Sequence, residues 1–380
     1  MIRLDKYTFY IFYILLIIFF VIPEPFQKPL RILIAISFFL SYFSLLYKQK
    51  IKSKSLLYII IGGILLFCSY MQGSFQTSLF NAFLCIFGLF VITPNNINLI
   101  IKKSHSINKI YYLLIAGIIL QIIFYRSSDG RPKMGYEMNL SGAYLFLFFL
   151  FSDIFNKRSG KIFVMILSLI LLSRLLIYSI GIFYVVRFGK VFLKNKIHKI
   201  NIFLFLPIVY IIFSLFSIWY TLNIKSDIAY ETDISRVTDV NDGSNKLRFG
   251  INSKVIFSIF QKDKNLLWGY GDIHKNKEYI DKFFLMPHME LFDILVEYGV
   301  FILFFFGIFM LYKFNHLSYY NNFEFIISLL FYTLFLWIRF LLVPSFESIF
   351  ILILLYISDY KNKLKYNKTE KESGKELLFS

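Results

Sequence analysis

The chain has little of what metal-dependent or nucleotide-dependent enzymes use. Its 380 residues include 2 cysteines, 5 histidines and 18 glycines. Cys68 and Cys85 lie in apolar segments and are too few for a disulfide framework. The sequence contains no cluster with metal-ligand spacing, no phosphate-binding glycine loop and no Ser-His-Asp arrangement. We therefore expect no metal site and no cofactor.

Long apolar runs are what the sequence has in abundance. Hydrophobic residues make up 58% of the chain and aromatic residues 21%. Runs such as Ile11–Ile22, Leu56–Phe67 and Phe301–Phe309 lack the alternation of a membrane β-strand, so the spans must be helices. The predicted fold class is all-α, a polytopic integral membrane protein with about twelve transmembrane helices and one large external loop.

The predicted spans divide the chain into four segments. Residues 1–222 form a membrane domain of about nine helices, 223–287 a large polar loop, 288–358 the last helices, and 359–380 a lysine-rich tail that we expect to be disordered. The spans are Tyr7–Ile22, Leu30–Tyr47, Ser55–Met71, Phe75–Ile92, Ile110–Tyr125, Asn139–Phe155, Lys161–Ser173, Arg174–Phe192, Ile202–Leu222, His288–Tyr312, Phe323–Leu342 and Ser345–Ile357.

The net charge of +18 indicates orientation in the membrane rather than nucleic-acid binding. Lysines and arginines concentrate in alternate connections and in the tail, so a cytoplasmic amino terminus places them on one side. The side on which the later connections lie depends on Ile162–Val186, which could be one long helix or two short spans that turn at Ser173-Arg174. We prefer two spans, because they restore the charge bias and leave residues 223–286 outside.

A cationic external loop is the first candidate for ligand binding. Arg126, Arg131 and Lys133 lie within residues 126–137, against the charge bias for a short external loop. Retained cations indicate an anionic ligand, but Asp129 and Glu137 could equally balance them in a solvated loop. Both interpretations stay open.

Two further arginines could contact a phosphate. Arg174 lies at the tip of the predicted hairpin, where its planar fork of donors matches a phosphate or simply reaches lipid headgroups. Arg248 lies beside an apolar stripe at helical spacing, where phosphate contact and a surface ion pair are about equal alternatives. The stripe is suited to packing on the spans or on the membrane, and consists of Leu247, Ile251, Val255 and Ile259 together with Ile256 and Phe260.

The stretch 287–299 carries ionisable residues that pass without a predicted break into an apolar helix. At about 100° per residue, His288 lies on one helical face and Glu290, Asp293 and Glu297 on the opposite one. His288 could act as a general base, although a lone histidine is more often only hydrogen-bonded. Glu290 and Asp293 are predicted to form structural ion pairs with Arg174, Arg339 or a loop cation.

These features together resemble the superfamily of bacterial O-antigen polymerases and O-antigen ligases. The resemblance covers most of the chain as architecture and short stretches as motif. The motifs are Ser173-Arg174, then Arg248 followed by Gly269 and Gly271, and then His288, Leu295, Glu297 and Gly299. Arg131 and Gly142 also fit the arginine, ten residues, glycine spacing of the polymerases.

The resemblance implies a metal-independent, GT-C-like glycosyltransferase of the bacterial inner membrane, active on the periplasmic face. Its partners would be undecaprenyl-diphosphate-linked oligosaccharides as donor and acceptor, membrane lipids and a chain-length regulator protein. His288, Arg174 and Arg248 would be catalytic. The predicted substrate-binding residues are Arg131, Lys133, Arg126, Glu297 and Arg339.

Two alternatives remain at this point. A ligase would transfer finished glycan to lipid A-core, but Met289 and Ile302 depart from the ligase signature. A lipid-linked oligosaccharide flippase would normally show repeat symmetry and polar residues near the bilayer midplane. Here the polar residues gather beside one large loop, which favours an enzyme.

Overall fold

The computed structural model describes residues 3–47, 63, 77–126, 132–135, 138–171, 173–192, 202–223, 243–271, 276–283, 287, 289–314, 319–335 and 341–376. Within these residues the regular elements are helices. They are α1 (Leu4–Phe20), α2 (Glu24–Tyr47), α3 (Thr77–Val91), a 3-10 turn (Pro94–Ile97), α4 (Asn98–Lys102), α5 (Ser104–Phe124), α6 (Met138–Ile154), α7 (Arg158–Ile170), α8 (Arg174–Phe192), α9 (Ile202–Asn223), α10 (Gly243–Phe260), α11 (Asn265–Trp268), α12 (Lys277–Phe283), α13 (Glu290–Phe314), α14 (Tyr319–Phe335) and α15 (Phe346–Glu376).

The core of the bundle is formed by helices that are buried on every face. In α6 every side chain from Ser141 to Ser152 is buried, and in α15 the same holds from Ser348 to Ile357. Aromatic rings join these helices to α1, with 5.7 Å between the ring centroids of Phe12 and Phe350. A helix that is apolar all round can be stable only when other apolar groups surround it.

The peripheral helices expose apolar side chains instead of charges. On α13 the exposed side chains Phe301, Phe304, Ile308 and Tyr312 recur every three or four residues and form one face, with Phe304 69% exposed. Exposed apolar side chains also occur on α2, α5, α7 and α9. A protein surrounded by water rarely carries such faces, whereas lipid solvates them.

By length and composition, three described helices could cross a membrane: Glu24–Tyr47, Ser104–Phe124 and Glu290–Phe314. A bent pair, Leu79–Val91 and Pro94–Lys102, would make a fourth span if its members, which meet at 77°, cross together. The predicted helical membrane protein is thus supported in outline. The number of about twelve spans and the GT-C-like arrangement stay predictions.

Contacts between helix ends define one end of the bundle, called here the Arg174 end. The Gly135 carbonyl accepts a hydrogen bond from the Glu24 N–H at 3.3 Å, which joins the loop before α6 to the α1–α2 turn. The start of α8 lies against the start of α6, where a Cβ on Gly142 would be 2.7 Å from the Ser173 hydroxyl. These contacts place the connections predicted to be external together.

The opposite end, called here the Asp153 end, is held by ion pairs. Asp153, near the end of α6, pairs with Lys161 of α7 at 2.9 Å and with Arg187 of α8 at 2.5 Å. Glu324 of α14 pairs with Lys190 at 2.8 Å and with Arg187 at 3.6 Å. Four helices are therefore tied together where the sequence predicts the cytoplasmic side.

Most predicted spans correspond to helices within a few residues. One exception is the last span, because α15 continues past Ile357 to Glu376, so tail residues 359–376 are helical and not disordered as expected. The predicted span Arg174–Phe192 coincides with α8, and Asn139–Phe155 differs from α6 by one residue at each end. The structure ends α7 at Ile170 and begins α8 at Arg174, which confirms two helices in place of one. The predicted span Ser55–Met71 lies outside the described residues, apart from Gly63.

Candidate functional site

Arg174 is the first residue of α8 at the Arg174 end of the bundle, and its side chain is half-buried. The preceding Ser173 carbonyl accepts the Ile177 N–H at 3.0 Å and so begins the helix. Gly142 lets α6 approach this turn, because any larger side chain would press on Ser173. The position therefore holds a guanidinium at the start of a helix that packs closely against α6.

The large polar loop is attached to α13 through backbone hydrogen bonds. The Tyr270 N–H donates to the Val296 carbonyl at 2.7 Å, and the Gly271 N–H donates to the Glu297 carbonyl at 3.1 Å. Gly269 has φ of +85° and Gly299 has φ of +84°. A Cβ on Gly269 would overlap the Glu297 carbonyl, and a Cβ on Gly299 would overlap the Leu267 carbonyl. Two glycines thus allow direct contact between two backbones.

This contact breaks α13 at Gly299, where φ is 84° and ψ is 172°. The prediction that the ionisable stretch passes unbroken into the apolar helix was therefore wrong. The carbonyls of Val296 and Glu297 bond to the loop turn from Tyr270 to Gly271 instead of continuing the helical ladder. The segment 290–298 is consequently a separate short helix that the loop holds in place.

Glu290 lies at the start of this short helix and is fully buried. Its carboxylate accepts the Leu342 N–H at 2.8 Å and the Leu341 N–H at 3.1 Å. Among the described residues the interhelical arginine pair predicted for Glu290 is not seen, since backbone N–H groups occupy the carboxylate instead. The predicted partner Arg339 lies outside the described residues, as does His288.

Asp293 and Glu297 face the loop helix α12. Both are buried, and both lie close enough to Tyr279 for their negative charges to affect the ionisation of its phenol. Burial, followed by the negative charges of Asp293 and Glu297, raises the pKa of Tyr279 above its ordinary value. Glu297 also supplies the carbonyl that accepts the Gly271 N–H, so its backbone holds the loop turn.

Arg248 is half-buried on α10, which packs against α9. The Ser253 hydroxyl lies 3.0 Å from the Thr221 hydroxyl, and the Phe249 ring lies 4.5 Å from the Tyr220 ring. The predicted apolar stripe is partly right. Ile251, Val255 and Ile256 are buried, whereas the two ends of the stripe are exposed, Leu247 at one end and Ile259 and Phe260 at the other.

A polar cluster joins the end of α10 to α12. The Asp263 carboxylate accepts the Lys282 ammonium at 2.6 Å, the Tyr270 hydroxyl at 2.5 Å and the Asn265 N–H at 3.0 Å. Burial alone would raise the pKa of Asp263, but these hydrogen bonds outweigh it and lower that pKa below its ordinary value. The carboxylate therefore stays ionised and keeps the loop turn closed.

The loop before α6 has two of its three predicted substrate-binding residues within the described part of the chain. Arg126 pairs with Pro132 across an isolated β-bridge, and the Lys133 N–H donates to the Tyr125 carbonyl at 3.2 Å. The Arg126 side chain is exposed and that of Lys133 is half-buried. Arg131 lies outside the described residues.

Sequence reasoning missed an ion pair at the Arg174 end. Arg31 lies 3.0 Å from Glu347 and lies over the Phe19 and Phe346 rings at 5.6 Å each. The Tyr144 hydroxyl donates to the same carboxylate at 2.5 Å. The sequence does contain a signal for this pair. Arg31 and Glu347 each lie near the start of an apolar span, where a charge is costly unless it has a partner.

The described residues contain no group of three or more His, Cys, Asp or Glu side chains that could hold a metal ion. No protein-family model, no curated protein and no solved structure matches this chain.

Proposed function

We propose that this protein is an O-antigen or capsular polysaccharide polymerase. It would transfer a growing glycan from undecaprenyl diphosphate to the non-reducing end of another lipid-linked repeat unit. The proposal includes about twelve spans, a bacterial inner-membrane location, a site that faces the periplasm, and a chain-length regulator as partner.

One observation carries the proposal. Glu290 follows His288 by two residues, and Leu341 follows Arg339 by two residues. The hydrogen bonds from Leu341 and Leu342 to Glu290 join these two distant parts of the chain at a buried point. The motif residue His288 and the predicted substrate-binding residue Arg339 thus neighbour two segments that the fold anchors to each other, which supports a common site.

The loop turn supports the same conclusion. Gly269 and Gly271 belong to the resemblance as the glycines that follow Arg248, and Gly299 belongs to it as the glycine that follows Glu297. In the structure the two glycine motifs meet backbone to backbone. Residues that are scattered in sequence thus serve one contact, as parts of a preorganised site do.

The proposed chemistry is a displacement at the anomeric carbon of the donor. An acceptor sugar hydroxyl attacks that carbon, the bond to the diphosphate oxygen breaks, and the hydroxyl proton passes to His288. Arg174 and Arg248 would stabilise the negative charge that develops on the departing diphosphate. Arg126, Arg131, Lys133 and Arg339 would hold donor and acceptor, and Glu297 would bind sugar hydroxyls.

The test uses cells that lack their own polymerase. We expect His288→Ala and Arg174→Lys each to abolish long polymer while single repeat units still reach the core. The lysine retains the charge but lacks the bidentate fork. Arg158→Lys is the matched control, because Arg158 also begins a helix and is exposed at the Asp153 end.

A normal ladder of polymer lengths with Arg174→Lys would contradict the role of the guanidinium fork. Deletion of the gene separates the alternative functions. A core capped with one repeat supports a polymerase, whereas a bare core with polymer left on its carrier would instead indicate a ligase. Purified protein that extends lipid-linked repeats without other components would exclude a flippase.

A further inference from the structure

The large loop carries an apolar surface that packing inside the protein does not cover. Phe257 and Phe260 on α10 are 46% and 76% exposed, and Leu267 and Trp268 on α11 are each 46% exposed. Loop segments that face only water are normally polar, and a solvated loop has no reason to present four large apolar side chains.

This surface continues the apolar face of α13. The Trp268 ring lies 5.2 Å from the Phe301 ring, and Phe301 is the first residue of the exposed face that runs on to Tyr312. That face belongs to the part of α13 after the break at Gly299, and α13 taken as a whole is long and apolar enough to cross a membrane. The loop surface therefore begins where the lipid-facing surface of the span begins.

The charges beside this surface fit a phospholipid headgroup layer. Lys254, one turn before Phe257, is exposed, and so are Lys262 and Lys264 between the two helices. Lysines that flank exposed aromatic residues are typical of helices that lie in the membrane interface, where the ammonium groups reach lipid phosphates.

We propose that the end of α10 and α11 lie in the outer-leaflet interface, with Phe257, Phe260, Leu267 and Trp268 in contact with phospholipid. The large loop is then a membrane-bound element and not a freely solvated one. This inference does not require glycosyl transfer. If the proposed function also holds, the loop would bring Arg248 to the depth of the lipid-linked diphosphate.

Tryptophan fluorescence tests the proposal directly. The chain has three tryptophans, so Trp219→Phe together with Trp337→Phe leaves Trp268 as the single reporter. In nanodiscs we expect a phospholipid brominated near its headgroup to quench Trp268 about twofold more than one brominated at its chain ends, because an interfacial helix lies ~5–10 Å deep. Aqueous iodide should quench it weakly.

The matched control moves the reporter within the same loop. Asp281→Trp, in a chain with all three native tryptophans changed to Phe, places the indole on an exposed polar position of α12. We expect iodide to quench that reporter strongly and brominated lipid to quench it weakly. If iodide quenches Trp268 as strongly, or if neither quencher reaches it because a protein surface covers it, the proposal is wrong.

A second measurement uses the unaltered chain and does not depend on the folding of the variants. A photoreactive phosphatidylglycerol with its diazirine near the glycerol should label peptides that contain residues 257–268. The peptide that contains α12 should carry at least about fivefold less label, because its exposed face is mostly charged. Equal labelling of both peptides, or none of 257–268, would overturn the proposal.

Discussion

At the scale of single residues, the structure provides partners for its buried and half-buried charges in two ways. Glu290 is fully buried and receives backbone N–H groups from Leu341 and Leu342. Arg31 forms an ion pair with Glu347 and lies over two aromatic rings. A buried charge without such partners would be far more costly than the hydrogen bonds can offset. Both residues therefore hold helix starts in position.

Replacement of Glu290 should loosen the connection between α14 and α15. Glu290→Ala leaves two buried N–H groups without an acceptor, which costs about 1–3 kcal/mol for each. Glu290→Gln retains one carbonyl oxygen and should cost less. We expect the midpoint of thermal unfolding to be lowest for Glu290→Ala, intermediate for Glu290→Gln and highest for the wild type. Amide hydrogen exchange at Leu341 and Leu342 should be fastest for Glu290→Ala and slowest for the wild type.

Asp281→Asn is the control for this series, because Asp281 is an exposed carboxylate on α12 and surface changes usually stay within ~0.5 kcal/mol. Unchanged amide exchange at Leu341 and Leu342 with Glu290→Ala would show that the carboxylate does not hold this segment.

At the scale of elements, the contact between the loop turn and α13 depends on two glycines. Gly269 and Gly299 have positive φ with ψ of 159° and 172°, a conformation that is essentially restricted to glycine. Gly269→Ala or Gly299→Ala should each cost at least about 1–3 kcal/mol, because the new Cβ adds a backbone clash to the strained φ. The measurement is thermal unfolding, together with protease cleavage near residues 269–283.

Gly307→Ala is the matched control on the same helix. A Cβ at Gly307 would meet nothing within 4 Å, so the substitution should be neutral or stabilise α13 by up to about 1 kcal/mol. Cleavage of the loop at the wild-type rate with Gly269→Ala would contradict the proposed attachment.

The elements themselves and the turn between α7 and α8 could be predicted from sequence, but the break within α13 and the contacts between distant segments could not. Apolar runs with charged flanks determine where α6 and α8 begin and end, and helical spacing correctly indicated α10. The break at Gly299 was missed because a glycine within an apolar run looks like one more helical residue. The partner of Glu290 was missed because backbone N–H groups are present at nearly every residue and leave no sequence pattern.

At the scale of the whole molecule, the two ends of the bundle differ in the contacts that they contain. The Asp153 end joins α6, α7, α8 and α14 through Asp153, Arg187 and Glu324. Removing one partner from such a partly buried network leaves the others uncompensated, so the end is held closed. The Arg174 end carries the helix break, the attached loop and the buried carboxylates, because Leu341 and Leu342, which bind Glu290, come shortly before Glu347 of the Arg31 ion pair. A molecule built in this way is suited to work at one membrane face.

Orientation is the prediction on which this division depends. In a chain without Cys68 and Cys85, Asp281→Cys introduces an exposed thiol at the Arg174 end, and Ser159→Cys introduces one at the Asp153 end. A thiol reagent that cannot cross the inner membrane should label Asp281→Cys in intact cells, because the lysine-rich connections are predicted to hold the other end in the cytoplasm. It should label Ser159→Cys only after permeabilisation. The reverse pattern would place the candidate site in the cytoplasm, where the external lipid-linked glycan does not reach it, and the proposed polymerase would be excluded.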